Sequence, residues 1–315
     1  MHRWSTSTYK TFGPSPGELQ LLQLDIPRDA LKYDFMLGGI YAIAALDLAV
    51  ATLGATPDST VAMSDSSTYL CAALEYYGKA SIGFRRELHQ LSRENYKAVW
   101  VFSTAVSVFH LALPYRGISP HNADQSMLSR MVTVFEASHG SAWVTKASYD
   151  WLLEGTLLAQ EMQHVGEASP DILDADTEAA VCRLRYLNEA TQASRDASDS
   201  RYKPYGPAIT LLERSFAEEV KDSIKGFCFV WPSEVGLDFV SAMKKSEHMA
   251  LFLLMHWGVL LHRLPEEAWW IKSVGQNLVA ELSDMLRDSE YSWMPEWTAG
   301  ISWARQRVDL STAVS

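Results

Sequence analysis

The stretch from Phe35 to Leu53, FMLGGIYAIAALDLAVATL, is apolar at nearly every helical position and carries one acid, Asp47. A surface helix shows an apolar stripe, whereas a helix apolar all round lies at the centre of a sizeable protein or spans a membrane. An aspartate in the hydrocarbon costs roughly 2.5–3.5 kcal/mol. No basic cluster flanks the segment to anchor it. A buried core helix is therefore expected, with no membrane span.

The rest of the chain can bury such a helix. Its 315 residues are 48% hydrophobic and 21% charged, the balance of an ordinary globular protein. Eleven Trp, eleven Phe and thirteen Tyr supply wide, stiff side chains that pack a core or line an apolar cavity. A formal charge of -11 with no basic run argues against direct contact with nucleic acid, whose backbone needs a dense Lys/Arg surface. Cys71, Cys182 and Cys228 are isolated and odd in number, so neither a disulfide framework nor a paired-cysteine zinc site is read. With MHRWSTSTYKTF lacking the apolar core of a secretory signal, a reduced intracellular compartment, cytoplasm or nucleus, is expected.

Helical periodicity dominates the chain. The opening HRWSTSTYKTFGPSPG, rich in hydroxyls, Gly and Pro, reads as irregular. Pro27 suits a first helical turn, with Asp25 as cap, and the helix is expected to run through Leu53 before Gly54 and Pro57. A second covers about Ser64–Leu91, and a third begins behind Ser92 as cap and stops at Pro114. Further helices are predicted at Gln125–Ser138, Ala142–His164, Asp174–Ala197 and Tyr202–Lys225, and after Pro232, Ser246 and Pro265. Hairpin-bounded alternating strands are absent, and no long polar linker divides the chain. The sequence predicts an all-α protein, one domain over 1–315 of roughly eight to ten packed helices.

At HRWSTSTYKT the chain resembles the effector domain of fungal zinc-cluster transcription factors of the sterol-uptake-control type. The resemblance continues in order through IPRDALKYDFMLGGIYAIAALDLA, the Asn95–Ala98 segment, YDWLLEG, YGPAITLLERSF, WPSEV, ALFLLMHWGVLL and AWW, across most of the chain. It implies an all-helical domain enclosing an apolar pocket for a sterol-like ligand, whose binding controls an attached zinc-cluster DNA-binding module. The effector domain's own first motif stands at Met1, so an excised domain or a free-standing relative is expected. Three positions depart from the family pattern. Histidines are usual near Gly39 and at Asp47, and an arginine stands where this chain has His139.

Two readings follow. In the first, the domain binds a large apolar molecule, sterol-like or terpenoid, at Gly39, Tyr41, Asp47, Trp100, Phe109, His110, His256 and Trp257. In the second, a free-standing enzyme catalyses a cofactor-independent cyclisation or cycloaddition of a terpenoid or polyene, with Asp47 and His139 as its catalytic groups. A carboxyl on an apolar helix is desolvated, which favours a neutral acid able to donate a hydrogen bond. The competing role for Asp47 is a core pair with a hydroxyl, an arginine or a backbone N–H. His110, His256 and His262 have a similar competing role as histidines with one structural hydrogen bond. The aromatic sets Trp100/Phe102/Phe109, Phe227/Phe229/Trp231 and Trp257/Trp269/Trp270 wall a pocket or fill a core.

No metal or other cofactor is expected. The pairs Glu136/His139 and Glu161/His164 have the spacing of di-iron carboxylate proteins, but both are read at helix ends beside Gly140 and Gly166, without the two further glutamates such a site needs. Aspartates 171, 174 and 176, and Asp196 with Asp199, superficially match a metal-diphosphate motif but sit in polar loops. Gly38-Gly39 follows no strand, so it is read as room for a neighbouring helix or a ligand. Beyond the ligand, a second copy of the chain is a candidate partner.

Overall fold

Ile26 and Phe35 would lie on about opposite sides of one continuous helix, yet both are buried. The chain accommodates both by breaking between them. In the computed structural model, which describes residues 1–12, 19–55, 60–113, 126–155, 169–193, 205–221, 226–265 and 267–311, a short helix α2 (Ile26–Ala30) ends in a turn before α3 (Asp34–Ala55). Asp25 does not cap α2 with its side chain but pairs with Arg28 at 2.7 Å. The single helix predicted through this region is thus two, because re-setting the rotation between them buries Ile26, Ala30, Phe35 and Met36 together.

The protein is all-α. Fourteen α-helices and no strand occur among the described residues, and the excess over the predicted eight to ten comes from short pieces such as α1 (His2–Thr6) and α2. After α3 come α4 (Thr60–His89), α5 (Tyr96–Ala112) and α6 (Met127–Ala147), then the short α7 (Tyr149–Gly155). There follow α8 (Ala175–Ala193), α9 (Gly206–Lys221), α10 (Val230–Glu234), α11 (Gly236–Lys244), α12 (His248–His262), α13 (Val274–Arg287) and α14 (Pro295–Arg307). The chain groups into two compact units, the first of residues 1–126, 133–163 and 265–270, the second of 127–132, 164–264 and 271–315.

In the first unit α3 packs against α4 and α5. Its core joins Trp4, Phe35, Met36, Ile40, Ile43, Ala98, Val99 and Phe102. Among the described residues α3 is the one helix long and apolar enough to cross a membrane, and 56% of its apolar window is buried within the protein. At Gly39 α5 packs closely on α3, since a Cβ there would meet the Phe102 ring at 2.9 Å. The corner between α4 and α5 is pinned by buried Asn95, whose Oδ1 accepts from the Ser92 N–H at 2.8 Å while its Nδ2 donates to Glu87 Oε2 at 2.8 Å. Ser92 therefore does not cap α5, which begins at Tyr96.

The break predicted at Ser138 to Ala142 is also absent: α6 runs through Gly140. A polar ladder continues along it where the helix faces α5. Trp100 Nε1 donates to Thr145 Oγ1 at 3.0 Å, Ser103 Oγ to Ser141 Oγ at 3.2 Å, and the Ser107 and Ser138 hydroxyls pair at 3.1 Å. Rungs on both sides of Gly140 outweigh its helix penalty of about 1 kcal/mol. Glu136 and His139 consequently stand inside a helix rather than at its end, while Glu161, His164, Asp196 and Asp199 lie outside the described residues.

The second unit has its own all-round apolar helix. Every residue of α12 from Met249 to Leu261 is buried, and α13, α9 and α14 pack around it. Aspartates at the start of α8 have structural tasks. Asp174 accepts from the Thr177 N–H at 3.1 Å as an N-terminal cap and from Arg307 at 2.8 Å. Burial pushes its carboxyl up, but the Thr177 and Arg307 donors outweigh this and hold it at about 2.

Candidate functional site

Asp47 is held by the folded N-terminus. Instead of the irregular start predicted, residues 2–6 form α1 and 8–11 a 3-10 turn, tied down where Trp4 Nε1 donates to the Leu22 carbonyl at 2.8 Å. This places Arg3 and Thr8 over α3. Arg3 donates from Nε to Asp47 Oδ2 at 2.8 Å and from Nη2 to Oδ1 at 2.9 Å, and the buried Thr8 hydroxyl donates to Oδ2 at 2.6 Å. The hydrogen bond to Asp47 raises the Arg3 guanidinium above its ordinary value, against burial. A forked guanidinium and a hydroxyl satisfy a carboxylate in the core, so this is the geometry of a charge-assisted structural pair.

Polar groups stand beside stacked aromatic rings between α4 and α5. Tyr77 stacks on Phe109, ring centroids 4.0 Å apart and planes within 6°, and its hydroxyl lies 3.1 Å from His110 Nε2. The imidazole stands edge-on to both rings at 5.5 and 5.9 Å. Burial raises the Tyr77 phenol above its ordinary value, against Ser81 and Arg85, so at neutral pH it keeps its proton as a hydrogen-bond donor. Tyr41, also expected from the sequence at the site, pairs with Tyr76 at 5.4 Å. Tyr77, His110, Tyr41 and Trp100 are half-buried, whereas Phe109 is fully buried. Half-burial leaves each of these rings partly exposed while Phe109 stays in the core. Tyr77 was legible only as one apolar position on a helix, because its pairing with His110 is a tertiary contact.

The other predicted residues are distributed as follows. Gly39 faces the Phe102 ring. His139 is half-buried with no hydrogen-bond partner for Nδ1. His256 and Trp257 belong to the second unit and are wholly enclosed there, each 0% exposed. Trp257 Nε1 donates to the Cys228 carbonyl at 2.8 Å and its ring stacks on Trp231 at 5.9 Å. Burial pushes the Cys228 thiol up, leaving it a protonated core side chain.

His256 Nδ1 lies 2.8 Å from the Phe252 carbonyl. Burial, aided by the charge of Arg183, lowers the imidazole to about 4, against the bond to Phe252. The consequence for stability has a definite sign. Above about pH 6.5 the imidazole is neutral folded and unfolded, and it makes no difference. Between 6.5 and about 4 the unfolded chain takes up a proton that the folded one refuses, so stability falls as pH falls. Denaturant unfolding of the wild type against His256→Phe should therefore diverge across that window by on the order of 3 kcal/mol; parallel curves would show that the folded imidazole titrates normally.

No family model matches the chain, and no curated protein matches it either.

Proposed function

We propose that this protein binds a large apolar molecule, sterol-like or terpenoid, against the Tyr77–Phe109–His110 wall of its first unit, and acts inside the cell as the effector domain of a fungal transcription regulator. The ordered resemblance from HRWSTSTYKT to AWW supports the class of protein. The observation that carries the binding reading is the half-buried phenol–imidazole pair laid on a stacked aromatic face. Burial of a polycyclic or polyene guest supplies about 25 cal/mol per Å², and the pair orients its one polar group. Asp47 serves this reading indirectly, by fastening the N-terminus to α3.

The same pair favours a second reading. A phenol that keeps its proton can polarise a carbonyl in a guest held in a reactive fold, which speeds a cofactor-free cyclisation or cycloaddition beyond what positioning supplies. Incubation with linear polyene precursors, scored by product and isomer ratio, separates the two: unchanged precursor with tight binding leaves the effector reading alone.

The test of binding uses dehydroergosterol, whose fluorescence is excited by energy transfer from tryptophan. The wild type should bind it saturably, and Tyr77→Phe should weaken binding about tenfold, the worth of one hydrogen bond to a buried polar group, with the fold retained. Equal affinity in the two proteins would remove Tyr77 from the site.

A further inference from the structure

Three polar atoms in the core of the second unit have no hydrogen-bond partner among the described residues: His256 Nε2, Arg183 Nη1 and Trp303 Nε1. They come from α12, α8 and α14, and the residues that carry them lie close to one another. The His256 ring lies on Trp303 at 5.2 Å with planes 14° apart. Phe252, one turn before His256, has its ring 4.8 Å from the imidazole. A Cβ on Gly300, one turn before Trp303, would meet Phe252 at 2.4 Å and Arg183 Cδ at 3.4 Å. Arg183 is also close enough for its charge to act on His256.

The chemistry of the three atoms is fixed by the fourth. The Phe252 carbonyl can only accept, so the 2.8 Å contact requires the proton on His256 Nδ1. Nε2 is then a bare lone pair, while Arg183 Nη1 and Trp303 Nε1 can only donate. An anion would satisfy the two donors and be repelled by the lone pair. A cation would suit the lone pair and be repelled by the guanidinium. An apolar group would leave all three atoms unpaired, a costly state in a dry core. A hydroxyl oxygen, with one proton to give and two lone pairs, answers each of them.

We propose that this cluster binds a hydroxyl oxygen, which donates to His256 Nε2 and accepts from Arg183 Nη1 and Trp303 Nε1. The oxygen is that of an internal water or of the alcohol group of a small guest. The site lies wholly within the second unit and does not depend on the first unit's ligand.

The test is a crystal structure of the wild-type protein, paired with solvent extraction and mass spectrometry of the same preparation. An oxygen at about 2.7–3.2 Å from His256 Nε2 is expected. Isolated density with no alcohol extracted assigns it to water; density continuous with carbon, together with an extracted alcohol, assigns it to a guest. No oxygen at Nε2, or Arg183 turned to donate directly to it, overturns the proposal. His256→Phe keeps an aromatic ring of similar size and should lose the oxygen; its retention there would equally contradict the assignment. If that variant does not fold, Trp303→Phe removes one donor and should displace the oxygen or weaken its density.

Discussion

Arg3→Ala is expected to lower the stability of the first unit by about 2–4 kcal/mol. The substitution leaves the Asp47 carboxylate, whose side chain is 6% exposed, with Thr8 as its remaining side-chain donor. Stranding a buried charge costs about 3–5 kcal/mol, and the lower range allows for Arg3 being 33% exposed and partly screened. Arg3→Lys should recover little, because an ammonium cannot reproduce the two-pronged donation to Oδ1 and Oδ2. Replacing both partners with apolar residues should recover much of the loss, since no charge is then buried unpaired. Chemical denaturation of the four proteins measures this. A single Arg3→Ala loss below about 0.5 kcal/mol would mean that the pair does not fasten the N-terminus to α3.

Gly275→Ala is expected to be at least as damaging, for a different reason. A Cβ on Gly275 would stand 2.4 Å from the Gly258 carbonyl oxygen and 2.6 Å from the His262 backbone nitrogen. Overpacking normally costs about 1–3 kcal/mol because side chains can yield. Here the obstacle is the backbone of α12 itself, so α13 must move as a whole and the cost should exceed about 3 kcal/mol. Gly140→Ala is the internal control. It too is in a helix, nothing lies within 4 Å of its added Cβ, and the gain in helix propensity should leave the protein unchanged or up to about 1 kcal/mol more stable. Thermal unfolding of both variants checks the pair of signs; equal behaviour would contradict the close approach of α12 and α13.

Part of this architecture was legible in the sequence, and the parts that were not share a cause. The all-α class followed from period-3.6 patterning, and the helix over Phe35–Leu53, apolar on nearly every face, is α3. Helix boundaries were harder, because tertiary partners decide them. Gly140 looked like a stop but lies between ladder rungs to α5, and Ser92 looked like a cap but serves the Asn95 corner. The unbroken helix expected before Leu53 failed because propensity cannot register that Ile26 and Phe35 must face the same core. The candidate site shows the same pattern. Asp47 was identifiable as a buried acid, yet its partners Arg3 and Thr8 are forty-four and thirty-nine positions away. Tyr77 and His110 are thirty-three apart, and Arg183, His256 and Trp303 meet only through the packing of three helices.

Binding of an apolar guest by the first unit is the central claim. The decisive measurement is a titration of the purified protein with dehydroergosterol and with a panel of terpenoid hydrocarbons and ketones, followed by energy transfer or intrinsic tryptophan fluorescence. Saturable binding of at least one of them, weakened about tenfold by Tyr77→Phe and unaffected by a surface substitution such as Lys79→Ala, is the predicted result. No saturable change with any apolar guest, in a protein that unfolds cooperatively, would contradict it.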